Sequence, residues 1–239
     1  MTHVLLSSEA HRGLRVRADA ATVPSDAVMS CITVPDEFRR VQNEYLILFH
    51  RDPERDQFNA LAMFGFEAGE NLYVEDGRWD ASYRPLAMSI QPFLIGGAPG
   101  DSEAKQVHVD LGHGRIAGDH DEGIRLFDDT GAHSPYLEAM IDRLGALDAG
   151  YEGSADFFAA LRRHELLEPM SIDITLDDGA TNRLVGFHVI DEDKLRDLSA
   201  DALAELHSEG HLLPIFMAIA SVSNLNALVA RKNRRNARG

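Results

Sequence analysis

The chain has 239 residues, 44% of them hydrophobic and 26% charged, ordinary globular values that exclude fibrous and disordered classes. Its 23 Lys and Arg stand against 39 Asp and Glu, a net charge of −16 that disfavours duplex nucleic acid as a main partner. The length suits one large domain with a sizeable core, and a single cysteine, Cys31, excludes an intrachain disulfide.

The N-terminal MTHVLLSSEAHRG lacks the basic region and long apolar run of a secretory signal. Residues 1–30 are weakly patterned, with one short strand expected over 11–17. Cys31, between Ser30 and Ile32, reads as a small buried hydrophobe rather than a reactive thiol. Pro35, Asp36 and Glu37 suit the first turn of a short helix over 34–42. The apolar run 45–50 predicts a buried strand. After a polar turn at 51–56, residues 57–66 predict a second strand with Phe58, Ala60, Ala62, Phe64 and Phe66 on one face, making an antiparallel hairpin. Asp76-Gly77 is a two-residue turn signal, which sets Glu75 opposite Arg78.

Residues 85–95 read as a helix interrupted near Pro92, and 96–100 as a glycine-rich loop. A strand over 105–111 places Val107, Val109 and Leu111 on one face and Gln106, His108 and Asp110 on the other. Residues 112–133, rich in Gly, Asp and His, predict a surface loop. Ser134-Pro135 starts a helix carrying Leu137, Met140, Ile141, Leu144 and Leu147, and Ser154 caps another carrying Phe157, Phe158 and Leu161. Residues 170–176 and 183–190 predict paired strands around an Asp177-Asp178-Gly179 turn. Helices follow over 191–198, 199–208 and 211–231, with Gly210 as a break.

The last of these has 20 residues without a charge, 211–230, followed by five basic residues. Length and flank suit a tail anchor. His211, Pro214, Ser221, Ser223, Asn224 and Asn226 oppose it, and the stripe Leu212, Ile215, Ile219, Val222, Leu225, Val229 is that of a helix packed on a core. Strands in hairpins and helices in runs predict an α+β fold: an antiparallel sheet with helices packed on it and a buried C-terminal helix. A single domain is expected over 1–230, with a basic tail over 231–239. Without that tail the body carries −21.

His108-x-Asp110 on a strand points an imidazole and a carboxylate to one side, the opening half of a two-His-one-carboxylate iron site, with His188 as the distal candidate. A zinc site would instead recruit His113, Asp119 or His120. Against both stands the brevity of the pattern in a chain with 11 histidines, and no arginine follows His188 to hold a 2-oxoglutarate carboxylate. The carboxylate runs 128–129, 177–178 and 191–193 lie at predicted turns and helix starts, where they hydrogen-bond backbone. Residues 119–123 resemble a calcium loop without its ligand register. Nucleotide-binding glycine loops, serine-hydrolase elbows and paired cysteines are all absent from the sequence.

Several blocks together resemble one family. The segment 62–80 (AMFGFEAGENLYVEDGRWD) with Tyr83-Arg84-Pro85 resembles the hallmark of the SapC family of bacterial proteins. Leu166-Leu167-Glu168-Pro169, the segment 184–195 (LVGFHVIDEDKL), Leu203-Ala204-Glu205-Leu206 and the segment 220–228 (ASVSNLNAL) follow its later pattern in order. The resemblance implies Glu70, Asn71, Arg78, Trp79, Asp80, Tyr83 and Asn224 as the characteristic residues, which suit a binding surface better than a metal. It brings no established activity. It implies a partner among products of neighbouring genes, which in this family include flavin-dependent halogenases, cupin-like hydroxylases and TonB-dependent receptors.

The expectation is therefore an accessory protein of the cytoplasm, without cofactor or membrane span, that binds a protein or peptide partner through residues 70–83. Self-association into a homo-oligomer stays open. Asn71 and Asn224 have a plainer use, the satisfaction of buried backbone groups. The alternative is a metal-dependent enzyme built on His108, Asp110 and His188.

Overall fold

A computed structural model of the chain describes residues 3–17, 23–98, 101–117 and 123–238. The chain opens with β1 (His3–Leu5), α1 (Ser8–His11) and β2 (Arg15–Val16), so His11 ends a helical turn and only two residues of the strand expected over 11–17 are extended. β3 (Ser30–Thr33) leads into a 3-10 turn at Pro35–Glu37 and then α2 (Phe38–Val41). β4 (Leu46–Asp52) and β5 (Gln57–Met63) form the expected hairpin, pairing Leu46 with Met63 and Asp52 with Gln57. β6 (Val74–Glu75) and β7 (Arg78–Trp79) close on Asp76-Gly77, whose φ angles of 50° and 73° are those a two-residue hairpin turn demands.

α3 (Leu86–Ser89) is shorter than expected, because Pro92 cannot continue it and Phe93 is drawn into a strand. β8 (Phe93–Ala98) and β9 (Asp101–Asp110) form a hairpin that includes Gly96 and Gly97, residues expected in a loop. The ring of His108 explains Gly96: a Cβ there would come within 2.8 Å of its Cδ2 and Nε2. β10 (Ile116–Ala117) and β11 (Ile124–Arg125) flank β2 on either side. The described parts of 112–133 are thus no plain surface loop, because Arg115, Leu126 and Phe127 are buried within them.

α4 (Pro135–Arg163) is one helix of 29 residues where two were expected. The Ser154 hydroxyl donates to the Gly150 carbonyl at 2.7 Å inside the helix instead of capping a new one. Gly150 lets the helix lie against Val34, whose Cγ2 would stand 2.6 Å from a Cβ there. β12 (Leu167–Thr175) and β13 (Thr181–Ile190) turn through residues 177–179, with Gly179 at φ +84°. α5 (Glu192–Arg196), α6 (Ala200–Ser208), α7 (Leu212–Ser221) and α8 (Asn224–Arg238) complete the chain.

The fold is α+β with antiparallel sheets, as the hairpin pattern predicts. The main sheet has five strands in the order β12-β13-β4-β5-β3. Leu46, Ile47, Leu48 and Phe49 of its central strand are each 1% exposed or less, so both faces of the strand are covered. Phe157, Phe158 and Leu161 of α4, Ile215 and Ala218 of α7 and Leu228 of α8 join this core. A smaller core gathers Val16, Phe93, Val109 and Leu126 with Leu137, Met140 and Leu144, from the first half of α4. The helix therefore belongs to both cores along a length of about 43 Å. Residues 231–238, expected as a tail, are helical and lie back on the body.

Candidate functional site

The segment 70–83 is anchored inward at most of its characteristic residues. Glu70 Oε2 accepts the Phe66 amide at 2.9 Å, and Oε1 meets the Lys232 ammonium at 2.7 Å. Asn71 is 3% exposed; its amide donates to the Asp26 carbonyl and its Oδ1 accepts the Tyr73 amide. The Trp79 indole N–H donates to the Tyr45 hydroxyl at 2.9 Å, while the ring meets Phe64 edge-on and carries the Arg84 guanidinium 4.8 Å from its centre. Asp80 accepts Arg231 at 2.7 Å. Arg78 is exposed.

Tyr83 closes the segment. Its hydroxyl donates to Glu37 at 2.7 Å, and its carbonyl accepts the Tyr45 hydroxyl. The Glu44 carboxylate accepts the amides of Ser82 and Tyr83. Burial pushes the Tyr45 and Tyr83 phenols well up and Tyr73 up to about 12, and each of the three hydroxyls donates a hydrogen bond. Asn224, far along the chain, donates to the carbonyls of Gln42 and Tyr45 at 2.7 and 3.0 Å. The Ser221 hydroxyl accepts the Ile47 amide. Glu70, Asn71, Trp79, Tyr83 and Asn224 thus hold β4, β5 and the hairpin together, the plainer use expected of the two asparagines.

Beneath this segment lies a polar network that the sequence pattern did not reveal. Asp26, 1% exposed, faces Arg84 at 2.7 Å and Arg115 at 3.2 Å. Glu37 accepts Thr33, Tyr83 and the Leu86 amide. These residues come from positions 26 to 115, with no local spacing to announce them. Burial, then the neighbouring Arg115, lowers the Arg84 pKa.

His108, Asp110 and His188 are not brought together. His108 and Asp110 lie on β9 in the sheet β1-β9-β8, and His188 lies on β13 in the main sheet. The His188 ring packs edge-on against Phe58 at 5.0 Å, and burial lowers its pKa. Among the described residues no three His, Cys, Asp or Glu side chains are grouped to hold a metal ion. His113 is buried against Ser25 at 2.8 Å, whereas Asp119 and His120, and the calcium-like run up to Glu122, lie outside the described residues. The carboxylate runs serve turns and caps: Asp128 accepts the Thr130 and Ala132 amides, Asp178 that of Ala180, and Asp191 that of Lys194.

The apolar surface lies elsewhere. Along α7, Pro214, Ile215, Ala218 and Ser221 turn inward and are buried. On the opposite side Leu213 and Phe216 are 55% and 51% exposed. Ala220 and Ser223 continue their line at helical spacing, and Val222, expected inside, is 38% exposed at its edge. The stretch Leu212–Arg238 is long and apolar enough to cross a membrane by length and composition. Here its inner face is spent on the core and its basic end on the body, where Lys232 meets Glu67 and Glu70 and Arg235 donates to the carbonyls of Asn71 and Val74.

A family model described as SapC matches residues 6–228. No curated protein and no solved structure matches the chain.

Proposed function

The chain belongs to the SapC family, and from that premise we propose that it is a non-enzymatic accessory protein that holds a protein or peptide partner on the outer face of α7. The observation that carries the reading is the pair Leu213 and Phe216, two large apolar side chains more than half exposed on a helix face without a charge. On a chain of net charge −16 such a face is the exception, and apolar patches bordered by polar surface mark contact sites. A large ring at the centre of an uncharged ridge is the usual form of an interface anchor. This reading moves the contact from residues 70–83, whose aromatic rings are engaged internally, to residues 213–222.

The products of neighbouring halogenase, hydroxylase and TonB-dependent receptor genes are the first partners to try. Purified wild type, Phe216→Glu, Leu213→Glu and Trp79→Phe, each checked by circular dichroism, are tested for co-purification with each candidate. Loss of the complex in both α7 variants, with Trp79→Phe retaining it, supports the reading. Retention in Phe216→Glu and Leu213→Glu refutes it. Flotation of the wild type with lipid vesicles, lost in the same two variants, would assign the face to a lipid surface instead.

A further inference from the structure

A second feature is independent of α7. A cavity of about 350 Å³ opens where α2 and α3 meet the first half of α4. Four arginines line it: Arg40, Arg84, Arg115 and Arg143. Tyr83 and Tyr136 stand among them. On a chain of net charge −16 the fold gathers these guanidinium groups from four places: α2, the segment after β7, the segment after β9, and α4.

The carboxylates that face these arginines are few. Asp26 serves Arg84 and Arg115 together. Glu37 is engaged by the Tyr83 hydroxyl and the Leu86 amide. Arg40 and Arg143 make no ion pair among the described residues; Arg40 lies over the Tyr83 ring at 5.7 Å. Arg115 is 7% exposed, yet among the described residues its Nε has no hydrogen-bond partner, and neither has the buried Nε of Arg84. Two buried N–H donors on cationic groups are expensive to leave unmade. Among the described residues, four guanidinium groups against two carboxylates leave an excess of positive charge around a space large enough for a small molecule.

We propose that this cavity binds an oxyanion, the carboxylate or phosphate group of a small ligand. Guanidinium forks match both groups with paired hydrogen bonds. The Tyr136 ring supplies a flat apolar wall for the body of the ligand and its hydroxyl a donor for the polar edge, while Tyr83, whose hydroxyl donates to Glu37, holds Arg40 in place. Negative charge on the rest of the surface keeps polyanions away, while the cavity attracts a single small anion.

Trp79, the only tryptophan, stacks against Arg84 and reports on the site. Its emission is followed while the protein is titrated with inorganic phosphate, with benzoate, and with chloride at matched ionic strength. The melting temperature under the same additions gives a second readout that does not depend on the indole. A saturable response to phosphate alone assigns a phosphate ligand, and one to benzoate alone a carboxylate. Arg143→Ala and Arg40→Ala, each removing a residue without an ion pair among the described residues, weaken the apparent Kd about tenfold or more. Arg55→Ala, in the exposed turn between β4 and β5 and outside the cavity, leaves it unchanged. If neither anion exceeds chloride in either readout, or if Arg143→Ala and Arg40→Ala bind as the wild type does, the proposal is overturned. Phe216→Glu is silent here, so this site and the α7 contact stand or fall separately.

Discussion

Lys232 reaches Glu70 at 2.7 Å across 162 residues of chain, and both side chains are only 11% exposed. Burial alone would lower the Lys232 pKa, but the hydrogen bonds and charge of Glu70 and Glu67 outweigh it and raise the value instead. Glu70 also fixes the Phe66 amide, so one carboxylate ties the end of the main sheet to the last helix.

Replacing Lys232 with Met leaves Glu70 half-buried without its cation. We expect a loss of about 2 kcal/mol in urea unfolding. Adding Glu70→Gln to that variant removes the stranded charge and restores part of the loss. Equal stability of wild type and Lys232→Met would show that the pair contributes nothing.

Asn224 gives a prediction of sign. It donates to two carbonyls and accepts nothing from them. Asn224→Ala is expected to lose about 1–2 kcal/mol for the missing bonds. Asn224→Asp is expected to lose more, because a carboxylate would oppose the Gln42 and Tyr45 carbonyls. Thermal melts that rank Asp as milder than Ala would contradict this geometry.

Two glycines of α4 predict opposite outcomes. A Cβ at Gly145 meets nothing within 4 Å, so Gly145→Ala stabilises by about 0.5–1 kcal/mol through helix propensity. A Cβ at Gly150 presses on Val34, so Gly150→Ala destabilises by about 1–3 kcal/mol. The double variant Gly150→Ala, Val34→Ala recovers part of the loss. Denaturation midpoints of the four proteins decide the matter.

His113 sets a pH dependence. Its Nδ1 accepts the Arg115 amide at 3.2 Å, so the ring is neutral and donates through Nε2 to Ser25. Burial, then the charge of Arg115, lowers its pKa below the ordinary 6.5. The unfolded chain therefore takes up the proton first as pH falls. Stability from this residue is complete above pH 6.5 and is lost progressively below it, toward the lowered folded value. His113→Asn, which keeps an acceptor near the Nδ1 position, is expected to flatten the melting temperature between pH 7.5 and 5.5. An unchanged slope would exclude His113 as the source.

The hairpins were legible because their signals are local. The Asp76-Gly77 turn and the 45–66 pair depend on neighbours in sequence, and the apolar run of β4 is a direct record of burial on both faces. The single α4 was not legible: Ser154 looks like the cap of a second helix until its hydroxyl is seen engaging the Gly150 carbonyl within one continuous helix. The network of Asp26, Arg84 and Arg115 was invisible for a related reason. Its members are brought together only by tertiary contacts, and no periodicity connects positions 26, 84 and 115. His108-x-Asp110 shows the converse. The two do share β9, but the third member belongs to another sheet.

The membership of α4 in two cores has a thermodynamic side. The smaller core cannot open without releasing Leu137, Met140 and Leu144, yet the second half of the helix stays held by Phe157, Phe158 and Leu161. Gly145, Gly150 and Gly153 occupy the join, and glycine is the residue on which a helix gives way most cheaply. The natural unit of partial unfolding is therefore half a helix. In native-state hydrogen exchange, amides of residues 139–148 are therefore expected to exchange as one group, together with those of β8 and β9, and ahead of residues 155–163.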